Sequence, residues 1–431
     1  MGASRWKFGC WRFLYAAMRW VGAFGAILMC QHNAQCSSDI QTKSPVIFSE
    51  WDQGSATNIR MKNGIFVQKA NAWALEAQDE FLRWVHHSPW EAWLEVNTEP
   101  SAGGHQAHYQ LSRGGRELLT PLENTLNIRG SVELKNADPE QALVDEILLG
   151  LLTSPYPQVF PSHEELLSHV RVRKFIAQAA QLTSLKFDTR AVDRPMSHWS
   201  YDEDLGFTLK PSQSLIEALK LATQPAFSGS EYAFSCYRAS EYVILLGITQ
   251  EAQISNPLLF ENLHHQWQIK AIASGAFHET FLVEHGSLSE PIPMLHYIPG
   301  DRVWFRNPDP RSSNVPGYEG SWVIYMGAGL FSNFWDRAKP FSLDQKCVEV
   351  FHWRDGAFID NEGVWCMDEA VVAKHVAQSM ADPHRLESIL RDMKKYREPS
   401  GVYQNGGCID ATRESPRLLR PASCDIVLRD I

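Results

Sequence analysis

Phe234-Ser235-Cys236-Tyr237-Arg238-Ala239-Ser240-Glu241-Tyr242-Val243-Ile244-Leu245-Leu246-Gly247-Ile248 sets a lone cysteine between a small-residue turn and a strongly apolar run. Just upstream, Phe227-Ser228-Gly229-Ser230 breaks any regular element, and Tyr242 to Leu246 is too apolar to face water. The pattern reads as a buried helix whose first turn carries Cys236. A helix start presents unpaired N–H groups and the positive end of the helix dipole. Both favour the thiolate, which is the nucleophilic form of cysteine. On position alone the plainer alternative is a core thiol acting as a small hydrophobe. The run Tyr242-Val243-Ile244 would also suit a buried strand.

The chain has 431 residues, enough for a sizeable core and more than one domain. With 44% apolar and 21% charged residues it is an ordinary folded protein rather than a disordered one. Its formal charge of −10 leaves no basic surplus to neutralise phosphates, so nucleic acid is not an expected partner. The first 36 residues differ: Arg5, Lys7, Arg12 and Arg19 meet no acid before Asp39, and Val21 to Cys30 is a short apolar core. This is signal-like, with Ala34-Gln35-Cys36 as a cleavage site, and too short for a stable membrane span. The chain is exported on that reading, and cytoplasmic if the segment is only a basic leader. If exported, Cys347, Cys366, Cys408 and Cys424 can pair in three ways and leave Cys236 unpaired. In a reducing compartment all five are thiols.

Along the chain, 1–36 is the leader, 37–136 an N-terminal accessory region, 137–397 the main domain with C-terminal helices, and 398–431 a loosely ordered tail. Ala72 to His87 is amphipathic, and Asn124 to Leu134 reads as strand, turn, strand. Pro139 to Thr153 is a helix capped by Asp138. A second helix opens at the Ser162…Glu165 capping box, and Pro211 to Ala222 is a third. After the Cys236 helix the character changes. Arg302 to Arg306 and Trp322 to Met326 are strands by their aromatic and β-branched content. Gly327-Ala328-Gly329 is a tight turn returning into Leu330 to Trp335, and Cys347 to Trp353 is a further strand. Two helices, Asp368 to Met380 and Pro383 to Tyr396, precede the Gly/Pro-rich tail. The expected class is α+β. The order is that of a papain-like core, a cysteine-bearing helix packed on an antiparallel sheet, here with an N-terminal extension.

From about Ser162 to Trp335 the chain resembles the bacterial protein-glutamine γ-glutamyltransferases, the spore-coat type of transglutaminase. Five pieces agree in order: Arg173-Lys-Phe-Ile-Ala-Gln-Ala-Ala-Gln-Leu182, Ser197-His198-Trp199 with Gly206-Phe-Thr-Leu209, Tyr232-Ala-Phe-Ser-Cys236, Gly300-Asp-Arg-Val-Trp-Phe-Arg-Asn-Pro308, and Gly320-Ser-Trp-Val-Ile-Tyr-Met-Gly327. The resemblance implies that Cys236 attacks the carboxamide of a protein glutamine and releases ammonia. The thioester then passes its acyl group to a lysine amine as an isopeptide crosslink, or to water. The implied partners are protein substrates, and no cofactor or metal is implied. The family's acid before the cysteine is here Ser235, its base glutamate is Ser321, and its histidine falls near Asn333. Glu319 stands two residues before Ser321 and shares its face if the strand extends that far, so Glu319 and Asn333 are the candidate partners of Cys236. His264, His265, His278, His285 and His296 are alternative bases. No H-E-x-x-H, C-x-x-C, G-x-S-x-G or P-loop occurs. Two other readings stay open: a catalytically impaired relative acting in binding or assembly, and a papain-like thiol amidase or peptidase.

Overall fold

The computed structural model describes residues 63–68, 74–86, 88–101, 104–131, 138–188, 193–398 and 406–428. The signal-like leader, 1–36, lies outside the described residues. The first described layer is a four-stranded sheet of β1 (Ile65–Gln68), β2 (Leu94–Ser101), β3 (Gly104–Leu111) and β4 (Gln158–Phe160) in the order β2-β3-β1-β4. Helix α1 (Ala74–His86) packs beside it, and α2 (Pro139–Leu152) and α3 (His163–Leu182) share its core through Leu143, Ile147, Leu148 and Val170. The Asp138 carboxylate accepts the Gln141 N–H and Ser162 Oγ accepts the Glu165 N–H, so both expected N-caps are in place.

The segment from Asn124 to Leu134 departs from the expected hairpin. Asn124 Oδ1 accepts the Leu126 N–H at 3.0 Å, and Thr125 Oγ1 donates to the Tyr297 carbonyl at 2.7 Å. One of these bonds is local and the other reaches 172 positions along the chain; together they replace a ladder, and Ile128–Ser131 is a single helical turn. Residues 132–137 lie outside the described set.

Helix α4 (Leu215–Thr223) leads to α5 (Cys236–Ser255), the helix read from the opening stretch. Ser235 is its N-cap, its hydroxyl accepting the Arg238 N–H at 3.2 Å. The face that follows is apolar nearly all round, with Ala239, Val243, Ile244, Leu246 and Ile248 buried, so α5 runs through the core rather than along the surface. Burying each such aliphatic side chain contributes roughly 1.5–3 kcal/mol. Where α5 crosses α3 the backbones are so close that a Cβ on Gly247 would stand 2.5 Å from Ile176 Cγ1 and 2.9 Å from the Ile176 amide nitrogen.

Helices α6 (Pro257–Ile269) and α7 (Ser274–Phe281) complete this layer and lead to the main sheet. Its strands are β5 (Leu282–His285), β6 (Arg302–Arg306), β7 (Gly320–Gly327), β8 (Leu330–Phe331), β9 (Phe341–Ser342) and β10 (Arg413–Pro416), in the order β9-β8-β7-β6-β10-β5 and antiparallel throughout. The period of two sorts β7 between two cores. Ile324 and Met326 join the α5 layer, while Val323 and Tyr325 join a second layer built on α8 (Leu343–Gly356), α9 (Glu369–Ala381) and α10 (Pro383–Met393). The turn between β7 and β8 has positive φ at Gly327, Ala328 and Gly329; glycine adopts that region freely, whereas Ala328 is held there against its preference.

Three further expectations are corrected. Cys347 to Trp353 is helix, not strand. Ser342 and Gln345 form a full capping box, and Leu343, Cys347 and Val350 recur at helical spacing into the core. The returning strand after Gly329 also ends early, at Phe331, because Asn333 opens a new turn. Part of the tail expected to be loose is a strand, β10, inserted between β6 and β5. Its polar residues are held by charge rather than apolar burial: Glu414 pairs with Arg302 and, at 2.8 Å, with His278. The fold is thus α+β, with the Cys236 helix on one face of an antiparallel sheet. No helix among the described residues is long and apolar enough to cross a membrane.

Candidate active site

The sequence pieces that lie far apart in the chain meet around the start of α5. The two residues before its cap, Ala233–Phe234, pair in parallel with Lys186–Phe187. Arg194 clamps them from the side, its guanidinium 3.3 Å from the Phe234 ring centre and donating to the Ala233 carbonyl at 2.8 Å. Asn307 Nδ2 donates to the Tyr318 carbonyl at 2.8 Å and its own N–H to the Glu319 carbonyl at 3.0 Å. This closes the loop so that β7 begins at Gly320, beside the cysteine. Arg173 reaches Asp301 at 2.7 Å, and both are buried, so the first and fourth pieces of the sequence pattern are joined by one ion pair.

Cys236 is partly exposed at the floor of a cleft of about 830 Å³. Protein encloses it on the other sides, and that burial is the largest influence on the thiol and pushes its pKa up. The Trp322 N–H, the charge of Lys346 and the Tyr237 N–H pull the other way, and Glu319 adds to the rise. Of these two amides, one belongs to the helix of Cys236 and the other to β7. Trp322 stacks on Trp304 with ring centres 5.7 Å apart, and Tyr237 meets it edge-on at 5.3 Å. The Arg302 guanidinium sits 4.7 Å from the Trp322 ring and is fixed by Glu414. Together these hold the strand that supplies the second amide.

Glu319 is exposed just before β7. Its charge reaches the sulfur, but no hydrogen bond joins the two among the described residues. Ser321 is buried and lines the cleft. Asn333 lines it too, with both ends of its amide engaged: Nδ2 donates to the Lys339 carbonyl at 2.9 Å, and Oδ1 accepts the Trp335 and Asp336 N–H groups. Ser235 lines a different cleft, of about 440 Å³, together with Arg238 and Glu241. None of the five candidate histidines lines the Cys236 cleft. His278 is drawn to Glu414, His285 to Ser415 at 2.8 Å, and His264 to Gln268. His296 is enclosed, and burial lowers it to about 3.

Sequence reasoning missed two charged groups in the cleft, Lys346 and Glu349 on α8. The Lys346 ammonium, only 2% exposed, meets Glu349 Oε2 at 2.7 Å and lies 4.0 Å from the Phe341 ring centre. Opposite them Tyr318 donates to Glu369 at 2.7 Å. The signal that leads to them is the Ser342…Gln345 capping box, which identifies α8 and turns Lys346 and Glu349 to one side. Elsewhere, His352, Asp355 and His375 bring ligand atoms within 4.8 Å of one another. Both ring nitrogens of His352 are already taken, by Asp355 at 2.5 Å and Ser379 at 2.8 Å, whereas His375 Nδ1 is buried without a hydrogen-bond partner. None of the five described cysteines forms a disulfide, and the buried sulfurs of Cys347 and Cys408 lie 3.5 Å apart.

The family model described as protein-glutamine gamma-glutamyltransferase matches residues 126–421, well over half of the chain. No curated protein matches. Among solved structures, a transglutaminase from Geobacillus stearothermophilus, without its C-terminal extension, is 21% identical. The match covers 50% of this chain and 98% of that one, with a TM-score of 0.35. By the extent of the family match, the chain belongs to the protein-glutamine gamma-glutamyltransferase family.

Proposed function

We propose that the chain is an active transglutaminase in which Cys236, on a papain-like arrangement of helix and sheet, is the nucleophile. The observation that carries this reading is the place of the sulfur: first turn of a buried helix, open to a cleft, and flanked by the N–H groups of Tyr237 and Trp322. The thiolate attacks the carboxamide carbon of a protein glutamine. Ammonia leaves, and the thioester acylates a lysine amine to give the ε-(γ-glutamyl)lysine bond. The N–H groups beside the sulfur supply donors for the charge that develops on the carbonyl oxygen. The test is incorporation of a fluorescent primary amine into a glutamine-bearing protein. Wild type incorporates it, and Cys236→Ala does not. Absence of incorporation by the reduced wild type sinks the reading.

A second reading, an impaired relative that binds or assembles without turnover, has one observation in its favour: burial holds the proton on the Cys236 thiol. It predicts slow alkylation of Cys236 at neutral pH, both with and without a glutamine substrate. Protection or acceleration by the substrate together with amine incorporation excludes it.

A further inference from the structure

The cleft contains a counter-charge for the cysteine that the family pattern does not anticipate. With serines at 235 and 321, no carboxylate occupies the positions where the resemblance places one. Instead Lys346 reaches the cleft from α8. A buried ammonium is costly unless it is paired, and this one is held on two sides, by Glu349 and by the face of Phe341. It shares the cleft with Cys236, and its charge acts on the sulfur. Glu349 contacts it from the same helix, one turn on, which fixes the side chain in place rather than leaving it to swing into water.

We propose that Lys346, positioned by Glu349, is the cationic partner that stabilises the Cys236 thiolate where the family's carboxylate base is missing. The inference rests on the reading of Cys236 as the nucleophile. In this step the S–H bond breaks heterolytically, the electron pair stays on sulfur, and the proton passes to solvent through the open cleft. Lys346 remains protonated and gains an anionic neighbour. The other charged or titratable groups facing the cleft are Glu349 on α8, Tyr318 and Glu369 hydrogen-bonded across it, Lys186, and the rim pair Asp336 and Lys339. Glu319 acts from just outside it. Of the cations, Lys339 is highly exposed and paired with Asp336, whereas Lys346 is enclosed, where screening by solvent is weakest.

The pH profile of iodoacetamide alkylation at Cys236, read by peptide mass spectrometry on the full chain, tests this. Lys346→Met moves the alkylation midpoint to higher pH and slows alkylation at neutral pH on the order of tenfold. Lys346→Arg restores the wild-type midpoint. Glu349→Gln keeps an amide oxygen that accepts from the ammonium, and so keeps Lys346 in place, while removing a negative charge from beside the thiolate; it moves the midpoint to lower pH. An unchanged midpoint in folded Lys346→Met overturns the proposal. If that variant does not fold, a Glu349→Gln midpoint that is unchanged or raised overturns it. Alkylation reads the thiol and not acyl transfer. A shifted midpoint in a protein that incorporates no amine therefore refutes the enzymatic reading and leaves the Lys346 pairing standing, and the reverse result refutes only the pairing.

Discussion

Gly247→Ala separates local propensity from packing with opposite signs. Gly247 sits in the middle of α5, where replacing glycine by alanine ordinarily stabilises a helix by about 0.5–1 kcal/mol. Here the new Cβ would stand 2.5 Å from Ile176 Cγ1, 2.9 Å from the Ile176 amide nitrogen and 3.2 Å from its Cα. The side-chain atom can yield, but the backbone of α3 yields only if the two helices separate. Overpacking of this kind costs typically about 1–3 kcal/mol, so the net effect is a destabilisation of up to about 2.5 kcal/mol. The assay is thermal unfolding of the full chain by circular dichroism, where such a loss lowers Tm by a few degrees. The N-terminus of α5 carries Cys236, so a displaced helix also alters the cleft, and amine incorporation falls with stability. A Tm above that of wild type would refute the close crossing as the constraint that seats the Cys236 helix.

Two further outcomes follow from the same geometry. Burial raises the Glu241 carboxyl from 4.5 to about 7, against the pull of Arg238 at 2.5 Å and the Ser274 N–H. A proton held more tightly in the folded chain stabilises it below about pH 4.5, and that contribution is lost as pH rises through 7. The difference is worth about 3 kcal/mol, so Glu241→Gln loses less stability than wild type between pH 5 and 8, and parallel Tm-against-pH curves contradict this. Ser342→Ala removes the capping box that starts α8. It costs about 0.5–2 kcal/mol in urea unfolding, and an unchanged midpoint at constant slope counts against the capping role.

The Cys236 helix was legible because its signals agree: a breaker, a small-residue turn and a long apolar run. Strands β6 and β7 were legible for a similar reason, aromatic and β-branched residues in the right density. Helix α8 was not, because Cys347-Val-Glu-Val-Phe-His-Trp353 has strand composition, and its capping box and helical spacing outweigh that composition only in the folded context. Missing α8 also hid Lys346 and Glu349. Strand β10 was illegible for a different reason. Arg413 and Glu414 look like surface residues, and what buries Glu414 is Arg302, 112 positions earlier in the chain, with His278. Such long-range charge pairing leaves no local pattern. The site was thus half readable: sequence located the thiol, and only the fold located the charge beside it.

The central claim is that the Cys236 sulfur itself becomes acylated by a glutamine side chain. Mass spectrometry of the full chain, quenched in acid after brief exposure to a glutamine-bearing peptide without amine acceptor, tests it directly. The account predicts an adduct of the peptide mass less ammonia, located on the peptide containing Cys236, removed by hydroxylamine and absent from Cys236→Ala. An adduct on another cysteine, or none while the peptide is turned over, would contradict it.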